Sequence, residues 1–210
     1  MRITKYAHSC VRIEHDGAVL VVDPGIFSES AVALDGADAV LITHEHTDHL
    51  DAEAVNRQLE RRPFVIHGPE SLSGMLGEAA EALRPVRPGD SFTAAGVPVR
   101  AYGGRHAVIH PDIPVIDNIG YLFNEVVYHP GDALFVPDDV QVDTLFAPIH
   151  APWSKFSEVV DFIRAVAPRR VFALHEGLLN ANGLMVLDRQ YTALSGSEYR
   201  RLEPGSRIDG

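Results

Sequence analysis

Three histidines and two acids fall within six residues at His44-Glu45-His46-Thr47-Asp48-His49, directly after the apolar run Ala39-Val40-Leu41-Ile42. A short apolar run bounded by polar residues reads as a buried strand, so the cluster occupies the loop leaving a strand end. Imidazoles packed this closely are costly unless they share a task. Neutral imidazole is a common metal ligand, and carboxylate oxygen is its natural companion. The pattern predicts the loop of a metal site, with donors enough to suggest a binuclear one, and it needs further ligands from other parts of the chain.

Candidate donors stand at other strand ends. His106 follows the strand-like stretch 97–102, Asp132 follows 126–129, and His175 ends Arg170-Val171-Phe172-Ala173-Leu174. Loops leaving strands are rigidly held places for functional side chains. The long segment 103–118 also carries His110, Pro111 and Pro114. A structureless loop longer than about 12 residues in a compact domain is usually functional.

Around these positions the chain alternates between β-rich and helical stretches. Residues 11–14 and 18–22 form a predicted hairpin across Asp16-Gly17, closed by Asp23-Pro24-Gly25. Asp51 is placed to cap a helix over 52–59, and 69–83 has helical composition weakened by Gly74 and Gly77. Residues 91–94, 97–101, 120–123 and 125–129 read as paired strands, and 144–147 as another. Apolar residues at Phe156, Val159, Val160, Ile163 and Val166 have helical spacing, with Ser154 as expected N-cap and Pro168 as terminator. After His175 no pattern is strong until 197–202, read as a final helical turn. Two β-rich halves with accompanying helices predict an α/β sandwich of two sheets with helices outside.

The 210 residues suit one domain spanning 1–210. A single cysteine, Cys10, excludes an intrachain disulfide and any cysteine metal cluster, and it reads as a small buried hydrophobe. The formal net charge of -11, without a basic stripe, disfavours nucleic acid as a partner. No stretch approaches the roughly 20 apolar residues of a membrane span, and the N-terminus lacks the apolar core of a signal peptide. The expected setting is cytoplasmic, with a small-molecule substrate, no nucleic acid and no membrane; a homo-oligomer stays open.

The His-x-His-x-Asp-His sequence at 44–49, the later His106, Gly131-Asp132 and the final His175 together resemble the metallo-β-lactamase superfamily, in order and spacing from Asp23 to His175. Val21-Val22-Asp23-Pro24-Gly25 is similar to the hairpin end beneath that family's site. The N-terminal Ala7-His8-Ser9-Cys10 is similar to the opening of the branch containing the ascorbate-6-phosphate lactonases. The resemblance implies a four-layer αββα sandwich and two divalent metal ions, zinc first, with manganese or iron also suited to nitrogen and oxygen ligands. It implies that His44, His46 and His106 hold one ion, that Asp48, His49 and His175 hold the other, and that Asp132 bridges them. The implied activity is hydrolysis of a small-molecule ester, lactone, thioester or phosphodiester. Two ions acidify a shared water and polarise the substrate oxygen, and Asp48 could orient that water.

Several residues keep alternatives at this stage. His110 could replace His106 as ligand, although His106 is better anchored by its strand. His150, Lys155 and His110 are candidates to protonate the leaving group; His150 stands beside the expected cleft, Trp153 could line it, and Lys155 reads first as a surface residue with pocket lining as its alternative. His8 reads equally as a site residue or a buried hydrogen-bonded histidine. Asp23 is expected to support the His-rich loop, and His15, His67 and His129 to be structural. A nuclease of the same superfamily and a metal-binding protein without turnover are the competing functions.

Overall fold

The computed structural model describes residues Met1–Gly210. Its first sheet begins with an antiparallel meander of β1 (Arg2–Lys5), β2 (Val11–His15) and β3 (Ala18–Val22). Strands β4 (Ala39–Leu41), β5 (Val65–Gly68) and β6 (Leu83–Pro85) extend it in parallel. The second sheet contains β7 (Ser91–Ala94), β8 (Val97–Gly103), β9 (Ile119–Phe123), β10 (Val127–His129), β11 (Thr144–Pro148), β12 (Arg170–Leu174) and β13 (Glu198–Arg200), adjacent in that order. The chain then returns to the first sheet, where β14 (Ser206–Asp209) pairs antiparallel with β1, giving seven strands to each sheet.

Side-chain alternation builds the layers. Leu20 and Val22 point between the sheets and Val21 points away, the period of two that a pleated strand imposes. The inner core joins Ile3, Ile13 and Leu41 of one sheet to Val99, Tyr121 and Phe172 of the other. Outside the first sheet, Val40 and Ile66 pack against Leu34 beyond the short α1 (Ser30–Ala33) and Val55 of α2 (Ala52–Arg61). Outside the second, Leu145 and Val171 pack against Val159 and Ile163 of α3 (Phe156–Val166) and Tyr191 of α4 (Ala181–Leu194). This is the αββα sandwich expected. Each fully buried aliphatic side chain contributes about 1.5–3 kcal/mol, so three such clusters hold the sheet ends rigid for the loops between them. No helix is long and apolar enough to cross a membrane.

Three local expectations need correction. Residues 69–83 form two 3-10 turns, Glu70–Gly74 and Gly77–Ala82, rather than one helix, because Gly77 takes a left-handed φ of +57° that interrupts the spiral. Ser154 does not cap α3: its hydroxyl turns back to the Ala151 backbone, and the helix starts after Lys155 without a side-chain cap. The segment 197–202 contains a strand, β13, since pairing with β12 buries Tyr199. The helix α4 was not foreseen at all.

Candidate metal centre

Six segments meet at one edge of the sandwich: the β1–β2 turn, the ends of β3 and β4, and the loops after β8, β10 and β12. They bring together His8, Asp23, the 44–49 loop, His106, Asp132 and His175. His44, His46 and His106 form a triangle of imidazoles with ring centroids 4.8, 4.9 and 4.8 Å apart. A second group contains His8, Asp48, His49 and His175, whose donor atoms all lie within 4.8 Å of one another. Asp132 stands between the groups. Its Oδ1 is 3.2 Å from His49 Nε2, and its Oδ2 is 3.1 Å from His175 Nε2 and 3.5 Å from His106 Nε2.

Hydrogen bonds decide which nitrogen each ring presents. Thr43 Oγ1 donates to Asp23 Oδ2, so it accepts from His44 Nδ1 at 2.9 Å, which leaves the lone pair on His44 Nε2. His106 Nδ1 donates to the Ala107 carbonyl at 2.6 Å, with the same result. His49 Nδ1 donates to Asp23 Oδ2 at 2.7 Å and turns Nε2 toward Asp132. Such outer partners fix tautomer and ring orientation at metal sites. Asp23 fulfils the expected supporting role, since its Oδ1 also accepts the Thr43 backbone N–H at 2.7 Å.

The backbone is strained to achieve this. His8, Asp23 and His175 have φ of +58°, +46° and +65°, a region that costs non-glycine residues of order 1 kcal/mol. A buried ion pair fastens two of them. Lys5 Nζ donates to Glu176 Oε1 at 2.8 Å, to the His8 carbonyl at 2.8 Å and to the Tyr6 carbonyl, while Glu176 Oε1 also accepts the His8 backbone N–H at 3.0 Å. All three ammonium protons are used. Gly25 is essential to the packing: a Cβ there would stand 1.8 Å from the Asp48 carbonyl oxygen.

Burial and charge divide the site. Burial, then repulsion from His49, holds His44 well below the usual histidine range. Burial also lowers His46, with His106 adding to it, and lowers His8 to about 4. For His175 burial opposes the charge, but Asp132 and Asp48 outweigh it and raise the ring to about 8. His49 is raised well above its ordinary value against burial, by Asp132 and Asp23. Burial would lift both carboxyls, yet His175 and His8 hold Asp48 low, and His49 and His175 hold Asp132 low.

The buried atoms His44 Nε2, His106 Nε2, Asp132 Oδ1 and both nitrogens of His175 have no hydrogen-bond partner. Each such atom costs roughly 1–3 kcal/mol when unsatisfied. Imidazole lone pairs and a carboxylate converging on a shared space are the donor set of a divalent metal ion. The residues fit that group.

A cavity of about 280 Å³ opens onto His46, Asp48, His106, Asp132 and His175. A larger hollow, about 460 Å³, lies beside Asn56 and Leu59 and carries three glutamates but no histidine, so chemistry belongs to the first. Trp153 lines the cavity and donates its indole N–H to Asp132 Oδ2 at 2.8 Å. His150, expected beside the cleft, is not among the lining residues, and neither is Lys155, in keeping with its surface reading: the loop turns at Ala151–Ser154 and presents Pro152 and Trp153 instead. His110 is also outside, with its side chain 60% exposed, whereas His106 joins the imidazole triangle. His8, undecided from sequence, lies in the second group with Nε2 3.1 Å from Asp48 Oδ2. Phe27, Ile109 and Leu178 also line the cavity and carried no sequence signal. Cys10 is buried, and burial pushes its thiol up to about 12, as suits a small apolar residue.

Sheet order, layers and the loop edge carrying these histidines and aspartates define a protein of the metallo-β-lactamase superfamily. The chain belongs to it: residues 2–175 match the family described as "Beta-lactamase superfamily domain". Among relatives, Protein Rv0786c of Mycobacterium tuberculosis is 39% identical, covering 99% of this chain and 99% of its own length. A UPF0173 metal-dependent hydrolase of Anoxybacillus flavithermus is 29% identical over 71% of this chain and 73% of its own. Among solved structures, Igni18, a metallo hydrolase from the archaeon Ignicoccus hospitalis, superposes with a TM-score of 0.75, covering 99% of this chain and 97% of that one. Its 17% identity carries the fold alone.

Proposed function

We propose that this protein is a binuclear metal-dependent hydrolase acting on a small molecule with a carbonyl or phosphoryl centre. The observation that carries the proposal is the position of Asp132, within 3.5 Å of imidazoles from both ligand groups. His44, His46 and His106 would hold one ion, Asp48, His49 and His175 the other, and Asp132 would serve both. The name of the Anoxybacillus relative supports hydrolysis. Zinc suits the mixed imidazole and carboxylate set, which manganese and iron also accept.

When bound, such a pair acidifies water and draws charge from the substrate oxygen. The chain's own residues supply placement. Asp23 fixes His49 and, through Thr43, His44. The Trp153 indole N–H occupies one lone pair of Asp132 Oδ2 and so directs the rest of that carboxylate toward the ligand groups. Asp48 retains 21% exposure of its side chain, whereas Asp132 retains 4%, so Asp48 is the carboxylate that can meet an attacking water. His175 and His8 hold it strongly anionic. It therefore orients water by accepting a hydrogen bond at carboxylate oxygen and is a poor proton store.

The test is metal content by elemental analysis together with hydrolysis of ester, lactone and phosphodiester substrates. About two ions per chain are expected, with turnover reduced by 10³-fold or more in Asp132→Ala, as order-of-magnitude values for loss of a shared ligand. One ion or none after loading, or turnover that survives Asp132→Ala, would sink the proposal.

A further inference from the structure

The ligands explain the floor of the cavity, not its walls. Apart from the ligand residues and Thr47, the lining is Phe27, Ile109, Pro152, Trp153 and Leu178. No lysine or arginine lines it. The chain has two lysines: Lys5 is buried and its ammonium is consumed by Glu176 and two carbonyls, and Lys155 lies outside the lining. Phe27 and Leu178 are held 46% and 44% exposed, on opposite chain segments at the mouth. Large apolar side chains kept in water around a concave site mark where an apolar ligand is covered.

These walls are built deliberately. Gly25, with no Cβ to strike the Asp48 carbonyl, lets the 25–28 loop lie flat on the His-rich loop. The Ile26 N–H donates to the Thr47 carbonyl at 2.9 Å, and Phe27 then meets His8 edge-on at a centroid distance of 5.3 Å. Leu178 follows His175 in the 3-10 turn Glu176–Leu178. The same segments that place ligands therefore place apolar walls. A volume of about 280 Å³ lies at the small end of small-molecule pockets, roughly 300–1,000 Å³.

Resting on the hydrolase reading, we infer that the substrate is a small molecule whose groups beyond the scissile carbonyl or phosphoryl centre are apolar and uncharged. A distal phosphate or other anion would be desolvated against Phe27, Ile109 and Leu178 with no cation to meet it, in a chain of net charge -11. The resemblance at Ala7-His8-Ser9-Cys10 to the lactonases of a sugar phosphate therefore does not extend to a phosphate subsite among these lining residues.

Trp153 is the single tryptophan of the chain and lies in the cavity wall, so intrinsic fluorescence reports binding without turnover. Zinc-loaded protein is titrated with hexanoate and with 5-sulfopentanoate, which share a carboxylate and differ in the charge of the tail. Hexanoate is expected to bind about tenfold or more tightly, the scale of discrimination an apolar pocket gives. Leu178→Arg is expected to close or reverse that gap with metal content unchanged. Equal or tighter binding of the sulfonate to the unmodified protein, or no fluorescence response to either, overturns the inference. In parallel, phenyl hexanoate and a phosphate-bearing lactone are offered as substrates. Faster turnover of the phosphate-bearing lactone overturns the substrate class and leaves the hydrolase reading standing. The expected binding preference without turnover of any ester, lactone or phosphodiester removes the hydrolase reading alone.

Discussion

The two ligand groups are separated by one aspartate yet differ in kind. Around His44, His46 and His106 the partners are neutral: a hydroxyl on His44 and a backbone carbonyl on His106. Burial keeps His44 and His46 uncharged. Around His49 and His175 the neighbours are carboxylates: Asp23 accepts from His49 Nδ1, and Asp48 and Asp132 lie 3.4 and 3.1 Å from His175 Nε2; both rings are raised toward the protonated form. In the proposed binuclear reading, the first group would take a metal ion as it stands. The second would have to exchange protons for one, and its shape depends on Asp23, His8 and the Gly25 loop. Preorganisation by neutral partners and preorganisation by charge thus coexist within a few ångströms.

The largest expected break in this comparison is Gly25→Ala. The added methyl meets backbone that cannot rotate away, at 1.8 Å from the Asp48 oxygen and 2.1 Å from its carbonyl carbon. Metal bound beside Asp48 should weaken by about 10²-fold or more while the His44 group keeps its ion, an estimate scaled from loss of ligand support. Isothermal titration showing two undiminished sites would contradict the assigned role of the loop. Next comes Asp23→Ala, which removes the acceptor for His49 Nδ1 and for Thr43. Roughly 10–100-fold loss of affinity is expected, greater in the second group. The converse variant His106→Ala should empty the first group preferentially, read as metal retained after dialysis.

Acidity offers a gentler separation. His175 in the metal-free protein is raised to about 8, so below that pH a proton must leave before it can ligate. Affinity of the second group should therefore fall as pH drops through 8, by about tenfold per unit for each proton displaced. His44 lies well below the usual histidine range and competes with protons only in more acidic solution. Metal titrations between pH 8 and 6 should show the second group releasing first; simultaneous release would refute the division. The smallest effect belongs to His110→Ala, where metal content should be unchanged and stability altered by no more than about 0.5 kcal/mol, because the ring is 60% exposed.

Much of the candidate site could be read in the chain because its histidines and aspartates are rare residue types set after apolar runs. His44, His46, His106, Asp132 and His175 all leave strands that show as Val- and Leu-rich stretches, and Asp23 betrays itself by interrupting one. The features that escaped lack local contrast. In α4 only Tyr191 is buried, so no apolar stripe repeats, and its start is marked by a single Asn180 cap. The strand β13 exists only through pairing with β12. The apolar walls at Phe27, Ile109 and Leu178 come from three separate loops, and nothing in their spacing brings them together. His150 misled for the opposite reason: it follows a strand, but a tight turn hands its place to Trp153.

The Lys5–Glu176 pair joins residues 171 positions apart. At a synthesis rate of roughly 5–20 residues per second, Lys5 waits about 10–30 s for its partner to emerge. Until then the His8 turn has no anchor, His175 does not exist, and the nascent chain can present only the His44 group. In the proposed binuclear reading, capture of metal by the second group would therefore be among the last events of folding, and the ion pair acts as a latch that closes once nearly the whole sandwich is in place.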